Sequence, residues 1–392
     1  MNFRDDLITN KALYDTPVAF NRTSGLFVGS PFDSSPQPIG AIIEADGSIL
    51  FRIFAPNATT VCIKIKLIPE WGPLDLESVK DGIFEGRMIW DQAICGPRAI
   101  DIIIDGNTVI DPRIPVYYGY GQIVNYVDIP DPDTDYILLR NVPHGTVSRQ
   151  LFYSKAYDAW QACMIYTPPG YEKRSETYPV LYLQHGAFEN ETTWIYNGKL
   201  PYILDNLLAD QEIQPFIVVM NDGMARRPDE KIGDFRTFHR MLLEDCIPFI
   251  EAGWRVRTDK WNRAMAGLSM GSMQTSVLGL THPDTFGWLG LFSGFMRASI
   301  ASSMVSDTKV ADPHLRLIHE DPEQFAREFR LFFRSMGDQD HAIDRFYEDD
   351  IICRDSGIDL MENYKRVVYP GIRHDWGAWR RALRDFAPLL FR

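Results

Sequence analysis

Very little in this sequence equips it to hold a metal, a phosphate or a membrane. Five cysteines, Cys62, Cys95, Cys163, Cys246 and Cys353, are scattered over 392 residues with no C-x-x-C pair. An odd, dispersed set excludes a disulfide framework and a thiolate zinc site, and points to reduced thiols. Glycine-rich phosphate loops are absent, so neither metal nor cofactor is expected. No apolar run approaches the roughly 20 residues of a membrane span. Basic residues are the minority sign, 40 Lys and Arg against 53 Asp and Glu, for a net charge of −13. That balance disfavours nucleic acid and anionic membrane surfaces as partners. The first ten residues, Met1 to Asn10, carry acids where a secretory leader needs bases, and no apolar stretch follows. A cytoplasmic location is therefore the expectation.

What is present divides into an early β-rich part and a later α/β part. Residues 1–35 are polar and turn-rich and read as an arm. Residues 36–128 carry short half-alternating runs such as Ser48 to Phe54 and Thr60 to Lys66. Turn signals at Asp46-Gly47, Pro56-Asn57, Asp81-Gly82 and Asp105-Gly106 separate them. Short strands at such spacing predict a small β-sandwich. Residues 129–145, acidic and proline-punctuated at their start, read as a stiff linker. From 146 to 392 apolar runs alternate with amphipathic ones, the pattern of a parallel α/β sheet. Strands are expected at Ser148 to Ser154, Gln161 to Tyr166, Val180 to Gln184, Phe216 to Met220, Ala264 to Leu268, Trp288 to Phe292, Leu331 to Ser335 and Arg366 to Tyr369. Phe238, Met241, Leu242, Ile247 and Ile250 fall largely on one helical face. Residues from Arg297 to Glu328 interrupt the alternation, as a lid or as a surface excursion.

The chemistry centres on Gly267-Leu268-Ser269-Met270-Gly271, a G-x-S-x-G between a strand-like and a helix-like run. That context is a nucleophile elbow: a tight turn whose flanks must be small, with the serine lifted clear of the sheet. Ser269 is the candidate nucleophile. The Met270 amide, at the helix start, points where an oxyanion would develop. A serine hydroxyl needs a base, and the chain order of this arrangement is serine, acid, histidine. His341 and His374 both follow Ser269 at strand ends. His374, after the last expected strand, stands where the base belongs. Asp338 and Asp340 both follow the preceding strand. A Gly-x-x-Asp spacing from Gly337 selects Asp340, leaving Asp338 to cap the next helix. The second oxyanion donor is expected in the loop Gln184 to Glu191, at the Ala187 amide, with His185 as a packing residue of that loop. Phe188, Trp194 and Trp376 lie on loops or turns near the site and are expected to offer aromatic faces to a substrate ring. Trp379, on a helix, reads as core.

The segments Pro179 to Trp194, Ile203 to Leu207, Asp245 to Glu251, Arg263 to Thr275, His282 to Phe286, Phe292-Ser-Gly294 and Gly371 to Trp379 together resemble carbohydrate esterase family one, the esterase-D-like feruloyl and acetylxylan esterases. The resemblance implies an α/β-hydrolase domain and a serine esterase acting on acyl groups carried by plant cell-wall xylan. Its implied partner is an acylated oligosaccharide. Two departures stand out. Ser272 occupies the place of a second glycine after the elbow, and Ala187-Phe188 replaces a glycine-rich pair. Upstream, Phe51 to Asn57, Asp81 to Gly86 and Ile104 to Pro112 resemble the Ig-like modules of carbohydrate-binding type, with Phe54 and Phe84 where tryptophan is usual. The expectation is thus an α/β-hydrolase domain preceded by an Ig-like β-sandwich, cleaving hydroxycinnamoyl esters. An acetylxylan esterase and a siderophore esterase of the enterochelin type are the alternatives.

Overall fold

A computed structural model describes residues 40–44, 48–66, 72–89, 96–129, 134–230, 235–297 and 313–392. The arm expected at 1–35, most of the acidic stretch 130–133, Cys95 and the centre of the interruption at 298–312 lie outside them. The described residues fall into two compact units, one ending at Arg140 and the other running Asn141–Arg392.

The first unit contains nine described strands: β1 Gly40–Ile43, β2 Ile49–Phe54, β3 Val61–Ile65, β4 Pro73–Ser78, β5 Ile83–Met88, β6 Gly96–Ile104, β7 Asn107–Val109, β8 Val116–Gly119 and β9 Gln122–Ile129. All their pairings are antiparallel. Ile49, Phe51 and Ile53 of β2 and Val61, Ile63 and Ile65 of β3 point inward, so period-2 alternation builds the core directly. The strands form one hydrogen-bonded sheet, β1-β2-β5-β4-β3-β6-β9-β8 with β7 beside β6, where the alternation suggests two separate layers. The reason is β4. Its first half, Pro73 to Leu76, pairs with β3 while Glu77 and Ser78 pair with β5, so one strand joins what a sandwich would keep apart.

The second unit is built on an eight-stranded sheet: β10 Thr146–Ser154, β11 Ala159–Thr167, β12 Val180–Gln184, β13 Ile217–Asn221, β14 Arg263–Leu268, β15 Trp288–Phe292, β16 Leu331–Gly337 and β17 Tyr364–Tyr369. Their order is β10-β11-β13-β12-β14-β15-β16-β17. A hairpin opens the sheet antiparallel and the other strands run parallel. Every residue of β12 to β16 is buried. This is why these strands read as continuous apolar runs rather than alternating ones. Phe238, Met241, Leu242, Ile247 and Ile250 all enter the larger core cluster. They lie on helix Arg236–Arg240, a π turn over Met241–Cys246 and helix Ile247–Gly253. Pro248 cannot supply the amide that an α-turn needs there.

The described end of the interruption, 313–328, is no cover over the site. Leu315, Ile318 and Phe325 plug into the same core, so apolar burial draws this stretch onto the body of the domain. Cys62, Cys163, Cys246 and Cys353 are free thiols, the last three buried. Among the described residues no helix is long and apolar enough to cross a membrane.

Candidate active site

Strand β14 ends at Leu268 and helix Met270–Thr281 begins one residue later, leaving Ser269 alone in the turn. Its backbone sits at φ 51°, ψ −113°. That is a sparsely populated region, costing on the order of 1–3 kcal/mol and held only where neighbours enforce it. They do. The Ser269 amide donates to the Phe292 carbonyl at 2.9 Å. A Cβ on Gly267 would lie 2.5 Å from Gly271 backbone, and one on Gly271 would lie 2.6 Å from the His185 carbonyl oxygen. Both glycines are therefore required by close approach. Ser272 fills a space against Gly294, where a Cβ would land on its hydroxyl. It turns the departure to use by donating to the Ser269 carbonyl at 2.6 Å.

The three candidate reacting groups meet at the carboxyl edge of the sheet. The Ser269 hydroxyl lies 2.9 Å from His374 Nε2, and His374 Nδ1 lies 2.6 Å from Asp340 Oδ2. Asp340 is fully buried and its second oxygen accepts the Ala342 amide at 2.9 Å. Burial pushes its carboxyl up, but the hydrogen bond and charge of His374 outweigh that and hold it below its ordinary value. His341 stands outside the line. Its ring meets that of His374 edge-on at 4.7 Å, and its side chain is 77% exposed.

Asp338 does not cap the next helix, which begins without a side-chain cap. Instead it accepts the Gly371 amide at 2.7 Å, and so pins the loop that delivers His374. The Asp338 amide donates to Tyr369 and the Gln339 amide to Ile372, closing the same loop. The helix cap was expected from local spacing, but this loop comes from the neighbouring strand.

The loop after β12 lies beside the elbow because Gln184 and Gly267 are register partners. His185 is fully buried. Its Nε2 accepts the Gly223 amide at 2.9 Å, which leaves the proton on Nδ1 to donate to the Gly186 carbonyl at 2.7 Å. Met270 opens its helix, where an amide has no intrahelical acceptor. Ala187 packs partly exposed against Met270 together with Phe235, Met273, Met224 and Phe295. This apolar wall beside the serine was not anticipated, since Met224 and Phe295 come from the loops after β13 and β15.

The aromatic set divides. Phe188 is 51% exposed and left-handed at φ 63° on the loop after β12. Trp194 and Trp376 are buried and present no face to a substrate. Trp194 donates its indole N–H to the Gln184 carbonyl at 2.9 Å and meets Trp376 and Phe292 edge-on. Trp376 packs edge-on against Trp379, which in turn meets the His374 ring at 5.3 Å. Large apolar rings beside the sheet gain more from burial than from exposure, so they back the site rather than line it. Sequence reasoning also passed over Glu189. It is buried, its Oε2 accepts the Gly186 amide at 2.9 Å, and the Trp376 indole lies beside it. An acid three residues past a loop glycine was the available signal.

Asp340, His341 and His374 bring three ligand-type atoms within 4.8 Å of one another. A metal there would have to take a nitrogen of His374 from Asp340 or from Ser269.

The sequence model of the family described as "Putative esterase" matches residues 154–389. The chain is 32% identical over 378 residues to an "Endo-1,4-beta-xylanase/feruloyl esterase" of Xylanibacter ruminicola, covering 93% of this chain and 48% of that protein. It is 25% identical over 244 residues to "Endo-1,4-beta-xylanase Y" of Acetivibrio thermocellus, covering 58% of this chain and 21% of that one. The chain thus spans about half, or less, of the length of these curated relatives. Among solved structures, a ferulic acid esterase matches with 25% identity and a TM-score of 0.53, over 63% of this chain and 97% of its own. The enterobactin esterase of Shigella flexneri matches over 93% of this chain and 98% of its own with a TM-score of 0.62. At 14% identity that likeness is one of fold.

Proposed function

The chain belongs to the putative esterase family, and we propose that it is a serine carboxylic-ester hydrolase cleaving hydroxycinnamoyl, feruloyl-type esters on xylo-oligosaccharides. The observation that carries the reaction class is the unbroken line from the Ser269 hydroxyl through His374 to Asp340. His374 Nε2 takes the hydroxyl proton as Ser269 Oγ attacks the ester carbonyl. The developing oxyanion is received by the amides of Met270 and Ala187. His374 then returns the proton to the departing sugar oxygen, leaving an acyl-enzyme that water opens by the same route. Asp340 keeps the imidazole oriented and stabilises its cation without taking the proton.

The substrate class rests on two supports. One is the apolar wall of Met224, Phe295 and Ala187 with exposed Phe188, suited to an aromatic acyl group. The other is the similarity over nearly the whole chain to a protein described as a xylanase and feruloyl esterase. For the N-terminal unit we keep the Ig-like, carbohydrate-binding reading. Its nine antiparallel described strands support the fold. Of the two phenylalanines in tryptophan positions, Phe54 is 41% exposed and available to a sugar, whereas Phe84 is buried in the core.

The test is a serine-directed fluorophosphonate followed by peptide mapping, alongside hydrolysis of methyl ferulate. Labelling at Ser269 with ferulate release is expected. Hydrolysis that survives full labelling of Ser269, or in Ser269→Ala, would overturn the assignment.

A further inference from the structure

We propose that Glu189 is a positioning residue that holds the oxyanion donor and the general base in one frame. The proposal rests on the serine-esterase reading above. Residues Gly186 to Glu189 form a turn closed by the Glu189 amide on the Gly186 carbonyl at 3.4 Å. Its third residue, Phe188, is left-handed at φ 63°, a conformation that a bulky side chain does not choose unaided. The Glu189 side chain folds back across this turn and takes the Gly186 amide at 2.9 Å. The peptide preceding Gly186 is therefore held by a carboxylate. The peptide following it, the one that bears the Ala187 N–H, is held at its carbonyl by His185 at 2.7 Å. With that carbonyl fixed, the Ala187 N–H on the opposite side has one direction left to it.

The turn is also pressed against the nucleophile. A Cβ on Gly186 would lie 2.6 Å from Leu268 Cδ1, 3.3 Å from Glu189 Oε2 and 3.6 Å from Ser269 Cβ. The Trp376 indole lies beside the same carboxylate. Trp376 follows His374 by two residues and opens helix Trp376–Phe386, whose cap is the Asp375 side chain on the Gly377 amide at 2.8 Å. One buried acid thus takes a hydrogen from the loop that carries an oxyanion donor and lies against the segment that carries the base. A charge withdrawn from water this far is costly, and its donor belongs to the catalytic frame. Placing that cost here makes sense where sub-ångström alignment of a donor sets the rate.

The experiment compares wild type, Glu189→Ala, Glu189→Gln and Ser269→Ala in the full chain. It measures kcat and KM on an aryl acetate, affinity for a phenylboronic acid that forms a tetrahedral adduct on serine, and Tm. Glu189→Ala should lower kcat by about 10- to 100-fold with KM unchanged. That lies below the roughly 10²–10³ that follows outright removal of an oxyanion donor. Boronate affinity should fall by the same factor as kcat/KM. Glu189→Gln should recover part of both, because its carbonyl oxygen can still accept the Gly186 amide, without the carboxylate's charge. Should the alanine variant fail to fold, the glutamine variant decides by the same parallel fall. An unchanged kcat, or a fall in Tm and kcat with boronate affinity intact, overturns the positioning role. If Ser269→Ala keeps wild-type activity, the serine-esterase reading itself has failed. If only Ser269→Ala is dead, that reading stands and Glu189 is acquitted of the role.

Discussion

Nε2 of His374 reaches the Ser269 hydroxyl at 2.9 Å although 105 positions of chain separate them. The distance is set by register, since β14 and β17 are joined through β15 and β16 and each delivers its loop at the same edge. Disturbing the loops should therefore cost activity without unfolding the sheet.

The two aspartates after β16 should separate cleanly. Asp340→Asn leaves the imidazole in the wrong tautomer and should lower kcat by about 10³- to 10⁴-fold, with Tm little changed. Asp338→Asn weakens one hydrogen bond to Gly371 and should cost far less. Steady-state kinetics on methyl ferulate check this. A more damaging change at Asp338 than at Asp340 would refute the acid assignment.

Trp194 should behave as a core residue. It is 1% exposed, packs edge-on against Phe292 and Trp376, and satisfies the Gln184 carbonyl. Trp194→Ala should lower unfolding free energy by about 3–5 kcal/mol, read by urea titration. The loss should not discriminate between ferulate and acetate esters. Selective loss of ferulate hydrolysis at unchanged stability would return Trp194 to the substrate.

How much of this was legible in the sequence depended on how local each signal is. The elbow is contained in five residues whose glycines are demanded by close approach, so Ser269 could be placed from spacing alone. Asp340 and His374 each sit just beyond an apolar run that only a strand explains. Trp194 and Trp376 read as loop residues but lie in helices Thr193–Tyr196 and Trp376–Phe386, and which way their rings turn is decided by rings from β15 and the last of these helices. Local pattern carries no trace of those partners. The same holds for β4, whose pairing switches from one neighbour to another within six residues. Glu189 reads as one more acid in a polar loop, because its spacing from Gly186 signals a turn but not the burial of that turn.

The Glu189 carboxyl makes a pH prediction with a definite sign. Burial pushes it above its ordinary value, against the opposing pull of the His185 ring and then of the Gly186 amide. The folded protein then binds that proton more tightly than the unfolded chain. Its protonation adds stability that is complete below the unfolded value, about 4.3, and is lost as pH rises through the folded one. The Tm of wild type should therefore gain on that of Glu189→Gln as pH falls from 7 toward 4. A difference that stays constant, or shrinks, over this range would contradict a raised carboxyl.

The acyl preference should follow the apolar wall beside the serine. Met224 and Phe295 lie partly exposed against Phe235, Met270 and Met273, and Phe188 stands at the tip of the neighbouring turn. A hydroxycinnamoyl ring laid on these side chains buries on the order of 100 Å² of apolar area, worth about 2–3 kcal/mol at ~25 cal/mol per Å². An acetyl group offers one methyl and gains about 0.8 kcal/mol at most. The difference corresponds to about 8- to 40-fold in kcat/KM in favour of ferulate, after correction for intrinsic reactivity. Met224→Ala and Phe295→Ala should each erode that ratio, lowering kcat/KM for methyl ferulate several times more than for an aryl acetate. Phe188 carries the opposite possibility, because its ring stands where the related proteins were expected to have glycine and can narrow the entrance. Phe188→Gly therefore divides the two cases. If the ring is a platform, ferulate turnover falls. If it is a gate, ferulate turnover rises and acetate is unmoved. A wild-type enzyme that prefers acetate, with ferulate restored by Phe188→Gly, would replace the feruloyl assignment with the acetyl one and leave the triad as it stands.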